Sequence, residues 1–112
     1  MKLPNCDKAV VEIAKLRDYS LNESHEVGSH KARVFRAALG LTVADAEWLR
    51  GQILAAVLVL DVQESAPSTF GLKYVVDIPL TVGEKTAVVR TSWIVEFGTD
   101  FPRLTSCYVK GK

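Results

Sequence analysis

The residues of this chain best suited to chemistry at a phosphate are His30 and Lys31 at a helix start, Arg90 in mid-strand and Thr105 in the last strand. Transesterification of a phosphodiester needs one group to take the proton of a 2′-hydroxyl and another to protonate the leaving oxygen. A third must stabilise the extra charge of a pentavalent phosphate. Imidazole titrates near neutrality, so His30, or its neighbour His25, suits the acid or the base. Lys31, Arg90 and Arg103 suit the phosphate, and the Thr105 hydroxyl can donate a hydrogen bond. That scheme calls for no metal and no cofactor. His25 and His30 lack both the spacing of a helical metal pair and a cysteine or acid to complete a ligand set. No Ser-His-Asp spacing, GxSxG elbow, P-loop or GxGxxG is present, which removes the usual support for hydrolase-triad, nucleoside-triphosphate and dinucleotide chemistry.

Each of these residues also has a plainer reading. At 100° per residue, Ala32, Val34, Phe35, Ala38 and Leu39 form one apolar arc, and Lys31 falls inside it. A lysine there either snorkels past the helix end or sits half buried beside a cleft. Arg90 either faces an anion or pairs with Asp77 across two strands.

The elements that must position these residues follow from periodicity. A helix is predicted over His30 to Leu39, with Gly28 and Ser29 as turn and N-cap and Gly40 as the stop. Glu12 to Leu21 reads as an earlier helix after a short lead-in or strand at Ala9 to Val11. Thr42 opens a third, with Asp45 favouring its positive end, and apolar residues on nearly every side of its later turns predict a central core helix. Gln63 to Thr69 reads as a polar linker, after which the period changes from helical to two. Leu72 to Leu80 and Ala87 to Phe97 alternate as half-buried strands around a Val82-Gly83-Glu84 turn. A third strand runs from about Arg103 to Lys110. For the two long strands to share a buried face, opposed residues must have numbers with an odd sum. One such register pairs Leu80 with Ala87 and sets Asp77 opposite Arg90; a slip by one pair would set Val75 opposite Arg90 instead, with Asp77 as its diagonal neighbour. In the last strand Arg103, Thr105, Cys107 and Val109 alternate with Leu104, Ser106 and Tyr108, and the letters leave open which set faces the core. The expected fold is α+β: about three N-terminal helices on one face of a three- to four-stranded antiparallel meander, forming a single domain over 1–112.

Composition narrows the partners. Fourteen basic against thirteen acidic residues give a formal charge of +1, so any affinity for nucleic acid must come from a local patch. Cys6 and Cys107 show no zinc spacing and read as free packing thiols. Met1 to Lys8 has no apolar leader and no run is long enough to cross a membrane, so the expectation is a cytoplasmic protein with no membrane partner.

A resemblance enters at these same residues. Leu3-Pro4-Asn5, Lys15-Leu16-Arg17-Asp18-Tyr19, His25 with Gly28 to Phe35, Tyr74 to Asp77, Val89 to Ile94 and Pro102 to Tyr108 resemble a family of small bacterial domains of unknown function. Its members stand alone or at the ends of phage-like and polymorphic-toxin proteins. The order of helices then antiparallel sheet is also similar to the Barnase, EndoU, colicin and RelE group of metal-independent ribonuclease toxins. That resemblance implies RNA as substrate, a cognate antitoxin or immunity protein as partner, and roles for His30, Lys31, Arg90 and Thr105, with His25, Arg103 and Tyr108 as second choices. The near-neutral charge departs from a strongly cationic nuclease. The other reading is a non-catalytic interaction module that uses Arg103 to Lys110 as a sheet edge, and a homodimer through that strand or the apolar helix is compatible with the pattern.

Overall fold

The change of hydrophobic period near Ser68 is where the chain passes from helices to sheet. The computed structural model describes residues 1–111. A short helix α1 (Ile13–Lys15) runs directly into a π-helical turn, Leu16–Ser20, and is followed by α2 (Ser29–Leu39), α3 (Ala46–Ala56) and strands β1 (Glu64–Pro67), β2 (Gly71–Val82), β3 (Lys85–Glu96) and β4 (Arg103–Val109). The four strands form one antiparallel sheet in chain order, and the fold is α+β.

The helices cover one face. Phe35 and Leu39 of α2, Leu49 and Ile53 of α3, and Leu16 and Leu21 pack with Val76, Ile78, Val89, Trp93 and Leu104 in a single core. Each such side chain contributes about 1.5–3 kcal/mol by leaving water. Within this core the Thr91 hydroxyl donates to the Val76 carbonyl (2.7 Å) and accepts from the Trp93 indole N–H (2.8 Å), so both buried polar groups are satisfied. The β2–β3 register sets Asp77 opposite Arg90 and Leu80 opposite Ala87, one of the two registers the alternation allows.

Several local expectations are corrected. The helix expected over Glu12 to Leu21 is α-helical for only its first turn, then widens: Leu21 N–H reaches the Leu16 carbonyl at 2.9 Å, and the Ser20 hydroxyl bonds the Lys15 carbonyl. Ser29 is not the N-cap of α2. The helix begins on it without a side-chain cap, and the preceding loop is tied instead by His25 Nδ1, which accepts the N–H groups of Val27 (3.0 Å) and Gly28 (2.9 Å). Gly28 is needed for close approach: a Cβ there would lie 2.9 Å from the Tyr19 carbonyl oxygen. Gly40 ends α2 at φ 71, where a left-handed residue lets its N–H return to Arg36.

Ahead of α3, the Asp45 carboxylate accepts the Thr42 N–H at 2.9 Å, so these two residues do mark a helix entry, through a 3-10 turn at Val43–Asp45. α3 is less central than its letters suggest, because the helix stops at Ala56 and leaves Leu58 and Val59 exposed. The expected linker contains β1, whose backbone completes the edge of β2 although its own side chains are exposed. That makes the fourth strand. Near the N-terminus the described residues form two isolated bridges, an antiparallel one from Lys2 to Asp61 and a parallel one from Val10 to Arg103, the latter with Val10 N–H on the Pro102 carbonyl and Leu104 N–H on the Val10 carbonyl.

The ambiguity of the last strand is resolved by a bulge. Ser92 opposes Ser106 but Trp93 opposes Leu104, leaving Thr105 as the extra residue. One inserted residue reverses the alternation, so Leu104 and Cys107 both face the helices while Arg103, Ser106 and Tyr108 face the other way. Neither unbroken alternation could do this.

Candidate functional site

The face of the sheet away from the helices carries a polar row. Arg90 Nε and Nη2 bond both Asp77 oxygens (2.9 and 3.1 Å), Arg90 Nη1 lies 3.4 Å from the exposed Glu64, and Lys110 Nζ reaches Asp77 at 3.2 Å. The Arg90 guanidinium and, behind it, Lys110 hold the Asp77 carboxyl below the usual carboxylate range against the opposing effect of burial. The cross-strand ion pair is therefore present, and two of the three guanidinium nitrogens are committed to it.

Tyr108 is Arg90's partner on β4 and shares its face. Lys31, from the first turn of α2, brings its ammonium to 4.8 Å from the centre of the Tyr108 ring. That cation–π contact is worth about 0.5–1 kcal/mol at a partly exposed site. It explains how a lysine on an apolar arc is accommodated: its stem stays on the protein and its charge emerges at the strand edge. Among the described residues no carboxylate lies within ion-pair distance of Lys31, Lys15 or Arg33. The cationic side of the molecule is thus local, although the chain as a whole is almost neutral.

His30 is exposed one position before Lys31 and lines an open groove of about 540 Å³ with Arg33, Val34, Ala37 and Ala38. Ala38 also borders a second concavity that includes Val109 and Lys110, so the depression continues from α2 towards the end of β4. Thr105, on the bulge, donates its hydroxyl to the Ser92 carbonyl at 3.1 Å, and its own carbonyl accepts from Lys15 Nζ at 3.3 Å.

The structure thus brings Lys31, Tyr108 and Arg90 into one row, leaves His30 on an open groove formed by α2 residues that include none of that row, and leaves Thr105 further along β4. Arg103 lies opposite Ile94, four positions along β3 from Arg90 and so roughly 13 Å away, with its guanidinium on Glu96 at 2.9 and 3.2 Å. His25 is occupied by its own loop and packs edge-on against Tyr19 at 4.6 Å. Lys15 does not stand out in its sequence context, where it is one charge among Lys15, Arg17 and Asp18. Only the π-helical turn and the bulge bring it to β4. Among the described residues no group of three or more His, Cys, Asp or Glu side chains is placed to hold a metal, and no helix is long and apolar enough to cross a membrane.

A family profile described as domain of unknown function (DUF6883) matches residues 2–111, nearly the whole chain. The chain belongs to the DUF6883 family. Among curated proteins, none matches its sequence. Among solved structures, this DUF6883 domain is similar in fold to a chain of a contact-dependent growth inhibition toxin–immunity protein complex from Klebsiella pneumoniae 342. The TM-score is 0.69 at 16% identity, covering 90% of this chain and 99% of that one. The shared feature is the fold, a layout that the DUF6883 domain and a chain of that complex build from largely different residues.

Proposed function

We propose that this domain is a toxin-like endoribonuclease that cleaves RNA by metal-independent transesterification where the first turn of α2 meets β4. The observation that carries the reading is Lys31, an ammonium without an acidic partner among the described residues, held over Tyr108 beside Arg90, with His30 and Arg33 lining an open groove on the same helix. In the reaction the 2′-oxygen attacks phosphorus, the bond from phosphorus to the 5′-oxygen breaks, and a 2′,3′-cyclic phosphate and a 5′-hydroxyl result. One proton leaves the 2′-hydroxyl and one reaches the 5′-oxygen. His30 serves one of these transfers, as acid or as base, and solvent water serves the other. Lys31 holds the phosphate, and Arg90 turns Nη1 from the exposed Glu64 to the same anion while Asp77 keeps its plane fixed. The Thr105 hydroxyl, three strand positions from Tyr108, supplies on leaving Ser92 a donor to the RNA further along β4. The fold shared with a chain of a toxin–immunity complex supports a toxin role with a cognate inhibitory protein, acting in the cytoplasm where RNA is exposed.

The test is incubation of the protein and His30→Ala with total bacterial RNA in EDTA. Cleavage by the unaltered protein alone, leaving cyclic phosphate ends, is the expected result; intact RNA in both reactions, with folding verified by circular dichroism, overturns the reading.

A second reading rests on β4 as an outer strand. Only its Arg103 end is bridged on the outer side, by Val10, so the remainder offers an edge to another chain, a partner protein or a second copy. Altering Tyr108 and Val109 would then abolish association while His30→Ala leaves it intact.

A further inference from the structure

Lys15 and Lys31 come from different helices yet both end on β4, at Thr105 and Tyr108 respectively. Their anchors are three strand positions apart, roughly 10 Å. The Cys107 thiol, buried between those two anchors, feels both: each ammonium pulls its pKa down against the burial that raises it. Neither lysine has a carboxylate within ion-pair distance among the described residues, whereas Arg17, Arg36, Arg90 and Arg103 all do. A near-neutral protein with ample acid to pair its cations thus leaves two of them uncompensated along one strand. The Lys15 position depends on two local irregularities at once, the π-helical turn that follows it and the bulge at Thr105 that presents the carbonyl it bonds. Two ammonium groups held on anchors that far apart suit two phosphates of one extended strand better than a single phosphate.

We propose that Lys15 binds a second backbone phosphate of the RNA whose scissile phosphate lies at Lys31, so that β4 between Thr105 and Tyr108 tracks the strand. This rests on the ribonuclease reading for the identity of the anion. Lys15 is a binding and positioning residue with no part in proton transfer. It therefore sets the affinity for a strand longer than the cleaved dinucleotide and leaves the chemical step alone.

The experiment uses a short 2′-O-methyl oligoribonucleotide, which binds but cannot be cleaved, and follows fluorescence anisotropy across a salt series for the unaltered protein, Lys15→Gln and Lys15→Arg. Removing one cation from a backbone phosphate flattens the slope of log affinity against log salt by about 0.7 for a single strand. Lys15→Gln is expected to show that change while Lys15→Arg keeps the original slope, and on cleavable RNA Lys15→Gln raises KM with kcat unchanged. An unaltered slope in Lys15→Gln overturns the inference, even if the protein cleaves RNA. Cleavage absent but the slope changed as expected leaves the Lys15 role standing and removes only the ribonuclease. No binding of the oligonucleotide by the unaltered protein overturns both.

Discussion

Replacing Thr91 by Val removes one oxygen from the core and should be felt at the bulge. Thr91 is fully buried and Trp93 is 1% exposed, and the Thr91 hydroxyl bridges the Val76 carbonyl and the Trp93 indole N–H. Without it, the indole N–H has no partner, which costs about 1–3 kcal/mol, and the bond to Val76 disappears for roughly another 1 kcal/mol. The added methyl returns up to about 0.8 kcal/mol, so the net loss is about 1–3 kcal/mol. An unfolding entropy of about 2.1 cal/mol/K per residue makes each kcal/mol worth roughly 4 °C in a domain of this length, a fall of about 4–12 °C. Thermal unfolding followed by near-ultraviolet circular dichroism reads this directly. Thr91→Ser keeps the bridging oxygen and loses only a methyl. In the Thr91→Val background, Trp93→Phe should cost less than it does alone, because the orphaned donor is gone. Equal melting temperatures for Thr91→Val and Thr91→Ser, or additivity within about 0.5 kcal/mol in the cycle, would refute the reasoning. The consequence for the site is that Trp93 faces Leu104 beside the extra residue Thr105, so loosening Trp93 loosens the geometry that places Lys15 and Tyr108.

Three further outcomes follow from named interactions. Asp77 has its folded pKa depressed by Arg90 and Lys110, with Glu64 and Tyr108 also around Arg90. Its contribution is complete above the unfolded carboxylate value of about 3.9 and disappears as pH falls through the folded value. Urea unfolding should therefore separate Asp77→Asn from the unaltered protein at pH 7 and not well below pH 3; the same gap at both would show that charge is not the cause. Gly28→Ala places a methyl against the Tyr19 carbonyl oxygen and should destabilise by about 1–3 kcal/mol, with an unchanged melting temperature counting against that close approach. Burial pushes the Cys107 thiol up to about 11, whereas Cys6 is half-buried. A thiol reagent at pH 8 should label one cysteine promptly and the second only on unfolding; prompt labelling of Cys107 would mean that β4 opens.

The two long strands were legible in the sequence because a buried face forces strict alternation; that narrowed the register to odd sums without choosing between neighbouring ones, and the structure takes the one with Asp77 opposite Arg90. The helix over Ser29–Leu39 was legible from its apolar arc and Gly40. β1 was not, since Glu64-Ser65-Ala66-Pro67 has no apolar alternation and is held by backbone pairing with β2. Thr105 could not be recognised as a bulge, because the choice depends on what Leu104 and Cys107 must each bury against the helices, a tertiary condition. The same limit applied to the site. His30, Lys31 and Arg90 stood out by type and position, but the pairing of Lys31 with Tyr108 and of Lys15 with Thr105 joins segments far apart in the chain. One faint signal for Lys31 was present: a charge on an apolar arc at a helix start has to escape past an edge.

The bridge between Val10 and the beginning of β4 has a consequence for the order of assembly. Hairpin β2–β3 forms from neighbouring segments and can close early, whereas Val10 pairs with residues near the opposite end of the chain and must await closure of a loop that spans most of it. During synthesis the segment leading into α1 has no strand to lie against until Pro102 to Leu104 have emerged. The lysine of α1 therefore reaches its place on Thr105 only at the end of folding, and the edge of β4 where anion binding is proposed is among the last surfaces of the protein to exist.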